Sequence, residues 1–244
     1  MPRRIAAYFN VVKTQWLVVL FIFSTHFALA YTSYPVDVHC PIDSTEFTIF
    51  ETRSYYLRGY LKDFQMVGAV GGYYRNVVHS CPKCHYSGYK SDFDTTFSEH
   101  ERSTLLKILE PYKHYEMTEI QENEVAIAIK NHGKVKHSEI ASLYLNSSYL
   151  IKEFPWRVRQ RKSLQRNAIK YIRLAMQEKE YTEPKQYANM TYLMGELYRR
   201  LGHFKEALSC FDLARMYPNQ APGMTDWIKK QRKLAKHKNR SNKV

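Results

Sequence analysis

The 244 residues lack the compact signatures of catalysis. No His-Glu-x-x-His pair, no Gly-x-Ser-x-Gly elbow and no phosphate loop occurs. The zinc-protease, serine-hydrolase and nucleotide-binding classes are left without their chemistry. The one glycine-rich piece, "GAVGG" (68–72), has no Lys-Ser/Thr to hold phosphate and metal. The ten histidines are scattered, and only four cysteines occur, at 40, 81, 84 and 210. After residue 30 no apolar run reaches the roughly 20 residues that span a bilayer. Acid is absent from two long stretches, 154–177 and 229–244.

What is present begins with the first thirty residues. "MPRRIAAYFNVVKTQ" is short and basic, "WLVVLFIFSTHFALA" is mostly apolar, and Ala28-Leu29-Ala30 is a small-x-small site. This is the order of a secretory signal peptide over residues 1–30. An uncleaved inner-membrane anchor over 16–30 is the alternative. The expected location is therefore periplasmic or secreted. Without Arg3, Arg4 and Lys13 the formal charge falls from +14 to +11. The two acid-free stretches hold +15, so the rest of residues 31–244 is net −4. The first stretch carries Arg157, Arg159, Arg161, Lys162 and Arg166, then Lys170 and Arg173. Such patches suit anionic lipid headgroups, acidic cell-wall polymers or acidic protein surfaces; nucleic acid is not the expected partner. A solvated helix end and a frayed tail are the plainer explanation.

The chain changes period near residue 91. Before it, "TEFTIFETRSYYL" (45–57) and "GYYRNVVHS" (72–80) read as strands, with "GAVGG" as the turn between them. After it the pattern is helical: Thr118 and Gln121 fit a capping box, Gly133 ends that helix, and Ser138 suits the next N-cap. Further helices are expected at about 162–180, 184–201, 204–216 and 223–238.

Residues 167–177 and 206–216 align at an offset of 39, pairing Ala168 with Ala207 and Ile172 with Phe211. The second copy resembles a tetratricopeptide (TPR) repeat, with Gly195, Tyr198, Gly202, Phe204, Ala207, Phe211 and Ala214 at that repeat's spacing. Thr191 stands where the repeat usually has Trp. In the first copy, "FPWRVRQRKS" (154–163) reads as an insertion between paired helices. Cys210 reads as packing. If the hairpins stack into a groove, Tyr149, Asn189, Tyr192, Glu196 and Arg199 are its expected partner-facing residues.

The remaining signal is a pair of knuckles. "HCPIDSTEF" (39–47) and "HSCPKCHYSGYKSDFD" (79–94) each begin Cys-Pro at the end of an extended segment, 41 residues apart. Two such knuckles can bring four ligands to one tetrahedral zinc. The inventory here is Cys40, Asp43, Cys81 and Cys84, with His39, His79 and His85 near enough to substitute. Two other readings stay open: a redox pair Cys81–Cys84, and a disulfide from Cys40 to Cys81 or Cys84.

The knuckles, with "YLMGELYRRLGHFKEALSCFDLAR" downstream, resemble the bacterial domain of unknown function 2225 family over most of residues 37–235. The family pattern has Cys at both positions of both knuckles, implying zinc, followed by TPR-like helices. By position the resemblance implicates Cys40, Cys81 and Cys84. Asp43, and His85 in place of a usual Gly, depart from it. It implies no biochemical activity.

The expected fold is α+β. A zinc-ribbon-like β module (31–95) is followed by connecting helices (96–136), TPR-like repeats (137–222), and a capping helix with a basic tail (223–244). The expected role is an exported, non-enzymatic interaction or scaffold protein with a structural zinc. It would hold another protein or peptide, with no small-molecule substrate evident. The rivals are a polyanion or membrane-surface binder and a thiol-disulfide redox protein.

Overall fold

The computed structural model describes residues 31–69, 72–113, 116–218 and 220–241; the signal-peptide or anchor segment lies outside them. The fold is α+β, a small antiparallel β region followed by helices. Among the described residues, β1 (Tyr31–His39), β2 (Glu46–Tyr60) and β3 (Met66–Ala69) form one sheet in that order. A second ribbon pairs β4 (His79–Ser80) with β5 (Ser87–Gly88). The helices are α1 (Glu99–Leu109), α2 (Glu119–His132), α3 (His137–Leu150), α4 (Val158–Gln177), α5 (Pro184–Leu201), α6 (Phe204–Met216) and α7 (Met224–Lys236). Among the described residues no helix is long and apolar enough to cross a membrane.

The strand reading needs one correction. Met66–Ala69, including the first glycine of "GAVGG", is strand and not turn, and the chain reverses earlier, at Leu61–Gln65. A backbone hydrogen bond from Leu61 N to Gln65 O (2.8 Å) closes that turn. Gly68 is needed for close approach: a Cβ there would meet Tyr56 O at 2.3 Å. Most of 72–80 is then irregular, and only His79–Ser80 pairs.

Helix starts follow local and distant chemistry in turn. Thr118 and Gln121 form the expected capping box on α2, and Gly133 is its C-cap. Helix α3 begins one residue before Ser138. Its first N–H groups, on His137 and Ser138, donate to the Glu180 carboxylate at 2.8 and 2.7 Å. That acid lies beyond the end of α4, so the cap is tertiary. Helix α4 starts at Val158, which makes most of the presumed insertion its first turns.

Helices pack as antiparallel neighbours, α3 with α4, α5 with α6, and α6 with α7. Gly195 fixes the α5–α6 approach, because a Cβ there would lie 2.8 Å from the Phe211 ring. Phe211, Ala207 and Ala214 are fully buried behind it, together with Met224 and Ile228 from α7. A second core joins the knuckles to α1 and α2 through Ile42, Ile49, Tyr86, Phe93, Leu105, Leu109, Val125 and Ile129.

The β2–β3 turn adds a further contact between the β region and the C-terminal helices. Phe64 packs on Tyr192 and Trp227, with ring centroids 5.5 and 6.1 Å away, and the Lys62 ammonium lies 4.0 Å over the Trp227 ring. Asp63, fully buried, takes Lys152 and Arg200 as ion partners. Tyr149 donates its hydroxyl hydrogen to the Asp63 carbonyl at 2.5 Å. A buried carboxylate survives only when paired, and this one is paired twice.

Candidate metal centre

Each knuckle is a tight loop with one backbone pattern. In the first, Cys40 N donates to Thr45 O (2.9 Å) and Ser44 N to Cys40 O (2.9 Å). In the second, Cys81 N donates to Tyr86 O (2.9 Å) and His85 N to Cys81 O (3.0 Å). The fifth residue of each is left-handed, Ser44 at φ 58° and His85 at φ 63°. That conformation favours glycine, and a side-chain-bearing residue there costs about 1–2 kcal/mol. The two loops are therefore equivalent residue for residue, and Asp43 occupies the place that Cys84 fills in the other.

The equivalence brings four donors together. The ligand atoms of Cys40, Asp43, Cys81 and Cys84 all lie within 4.8 Å of one another. Cys40 Sγ and Cys84 Sγ are 3.4 Å apart, and Cys81 Sγ is 3.7 Å from Asp43 Oδ1. A tetrahedral ion with bonds of about 2.3 Å to sulfur separates its sulfurs by about 3.8 Å. A disulfide would need about 2.05 Å. The three sulfurs converge on one point and do not pair off. All three cysteines are buried.

The electrostatics ask for a cation. Hydrogen bonds from Cys40 and then Cys84 push the Cys81 thiol strongly down. The hydrogen bond with Cys81, and then burial, push Cys40 up against the lowering effect of Cys84; hydrogen bonds with Cys40 and then Cys81, with burial, push Cys84 up. A divalent ion would let all three sulfurs ionise. Asp43 makes the same point with oxygen. Its Oδ1 accepts from Thr45 N at 3.1 Å, while Oδ2 is buried with no hydrogen-bond partner. A buried carboxylate with one oxygen beside the Cys81 sulfur and the other unpartnered fits a ligand position. Zinc suits this Cys₃Asp donor set, with the aromatic edge contacts of Phe47, Tyr86 and Phe93 forming an apolar shell beside it.

The histidines near the knuckles go elsewhere. His39 pairs with exposed Glu46 at 2.8 Å and His79 with Glu51 at 3.4 Å. His85 Nδ1 is buried without a partner, and none of the three belongs to the donor cluster.

The residues expected to face a partner are not presented to solvent. Tyr192, Glu196 and Arg199 are fully buried, Tyr149 nearly so, and Asn189 half-buried. Glu196 accepts from Arg199 through both oxygens (2.8 Å each) and from Arg200 Nε (2.7 Å). Arg199 also donates to the carbonyls of Asn239 (2.7 Å) and Ser241 (3.1 Å). The chain's own β2–β3 turn and C-terminal segment fill the space that the sequence assigned to a ligand. Repeat spacing could not reveal those occupants, since both lie far away in the chain.

The first basic stretch divides. Arg159 and Arg166 are exposed, Arg157 lies over the Phe154 ring, and Lys162 is half-buried. Arg161 turns toward the Arg200–Asp63 pair, where burial and then Arg200 lower its pKa. Sequence reasoning missed Asp63, Lys152 and Arg200. Only a charged residue inside a turn signal, "LKDFQ", hinted at the first of them.

Fold and centre together define a two-knuckle thiolate protein with a helical C-terminal part. More specifically, residues 34–235 match the family model described as an uncharacterized protein conserved in bacteria (DUF2225), and the chain belongs to that family. No curated protein and no solved structure matches it.

Proposed function

We propose that the protein is a non-enzymatic interaction protein whose knuckle module is braced by one structural zinc. Its TPR-like helical hairpins would serve as the binding scaffold. The observation that carries this reading is the convergence of Cys40, Asp43, Cys81 and Cys84 within 4.8 Å. Burial of Cys81 and Cys84, 0% and 7% exposed, keeps substrate disulfides away from the pair, which favours a structural over a redox role. Export, with removal of residues 1–30 or their retention as an anchor, is part of the same proposal.

Metal analysis with a thiol count on the protein from its native location tests it. One zinc per chain is expected, with three thiols becoming reactive only after chelation. Absence of metal together with oxidised Cys40, Cys81 and Cys84 would overturn the zinc reading in favour of a disulfide.

A further inference from the structure

The helical region has a cleft other than the one its repeat spacing indicated. It lies between α4 and α5, has a volume of about 390 Å³, and is lined chiefly by Arg166, Lys170, Arg173, Tyr198, Leu201 and His203. The three cations recur at i, i+4 and i+7, which places them along one face of α4. All three are exposed. None forms an ion pair or side-chain hydrogen bond among the described residues; Lys170 only overlies the Tyr171 ring at 5.2 Å. Helix α4 contains no acid, and the one acid of α5, Glu196, is buried and consumed by Arg199 and Arg200.

The floor is different. Ile169 is buried, and Leu174, Leu201 and Tyr198 are half-buried. An apolar floor under a cationic wall that makes no ion pair among the described residues selects a ligand with both characters. A flat lipid surface would meet the exposed cations without filling the concavity.

We propose that this α4–α5 cleft binds an acidic peptide segment of a partner protein, with an apolar side chain on the Ile169–Leu201 floor and flanking carboxylates on Arg166, Lys170 and Arg173. The proposal rests on the interaction reading above and names its site and ligand chemistry. The partner-facing surface thereby moves from the filled interior of the array to its α4 side.

The test uses the full chain and fluorescence anisotropy with a labelled twelve-residue peptide of Glu and Leu. Binding that weakens with added salt is expected. The triple variant Arg166→Glu, Lys170→Glu, Arg173→Glu should bind about tenfold or more weakly. A matched reversal on the exposed side of α7, Lys229→Glu, Lys230→Glu, Lys233→Glu, alters net charge equally but lies outside the cleft lining, so it should leave affinity unchanged. Equal loss in the two variants, or equal affinity for an all-Glu peptide, would overturn the cleft in favour of a generic polyanion surface. Preference for phosphatidylglycerol vesicles over the peptide would overturn it in favour of a membrane. Peptide binding untouched by the α4 reversal sinks the cleft alone and leaves the interaction reading standing. No binding of this peptide or of Lys/Leu and Ser/Leu controls counts against both. Circular dichroism confirms that the variants remain folded.

Discussion

At the residue scale, Asp43 is the most informative position. It replaces a thiolate in a loop otherwise equivalent to the Cys81–Cys84 knuckle, and its Oδ2 has no protein partner. Substituting Asp43→Cys should complete a Cys₄ set and slow zinc transfer to a chromogenic chelator, whereas Asp43→Ala should speed it, each by about tenfold or more. Unchanged transfer in both would show that Asp43 is no ligand. Glu122 is a second residue-scale case. Burial, and then Glu119, raise its pKa from 4.5 to about 7. A folded pKa above the unfolded one means the native state holds the extra proton between these values. Stability should therefore fall as pH rises from about 4.5 through 7, by on the order of 2 kcal/mol. Chemical denaturation of Glu122→Gln across that range should show this slope removed.

At the element scale, local signals wrote most helix boundaries and failed where a cap came from elsewhere. The Thr118–Gln121 box was legible because both partners lie within four residues. The α3 start was not, because its anionic cap is Glu180, over forty residues on. Against its own desolvation, hydrogen bonds from Ser138 and His137 hold the Glu180 carboxyl below the usual range. Glu180→Ala should cost about 1 kcal/mol at neutral pH, seen as earlier hydrogen exchange of the α3 amide groups. The wild-type advantage is present above the ordinary carboxylate pKa and lost as pH falls through the depressed folded value. The β region shows the reverse difficulty. "GAVGG" has the composition of a turn, yet Gly68 is in β3 because Tyr56 O approaches too closely for any side chain.

For the whole molecule, Asp63 joins the β region to the helices. Burial alone would raise its pKa, but Arg200 and Lys152 outweigh that and hold the carboxyl low. Asp63→Ala would leave Lys152 without a carboxylate and Arg200 with Glu196 alone, around a turn that also seats Phe64 on Tyr192 and Trp227. A loss of about 3–5 kcal/mol in equilibrium unfolding is expected. A loss under about 1 kcal/mol would mean that apolar packing, and not the Asp63 ion pairs, holds the two parts together.

The sequence by itself determined the α+β order, nearly all the helices, and the three cysteines of the donor set. Each of these depends on short-range spacing: helical period, Cys-Pro knuckles, and caps a few residues apart. Tertiary structure decided that Asp43, and no histidine, completes the cluster, since only the folded loops show which side chain points inward. It also filled the array with Asp63, Phe64 and the Asn239–Ser241 carbonyls, burying residues whose repeat positions promised a binding surface. Repeat spacing specifies how helices approach one another, but occupation of the space between them depends on contacts more than a hundred residues apart, such as Arg200 with Asp63.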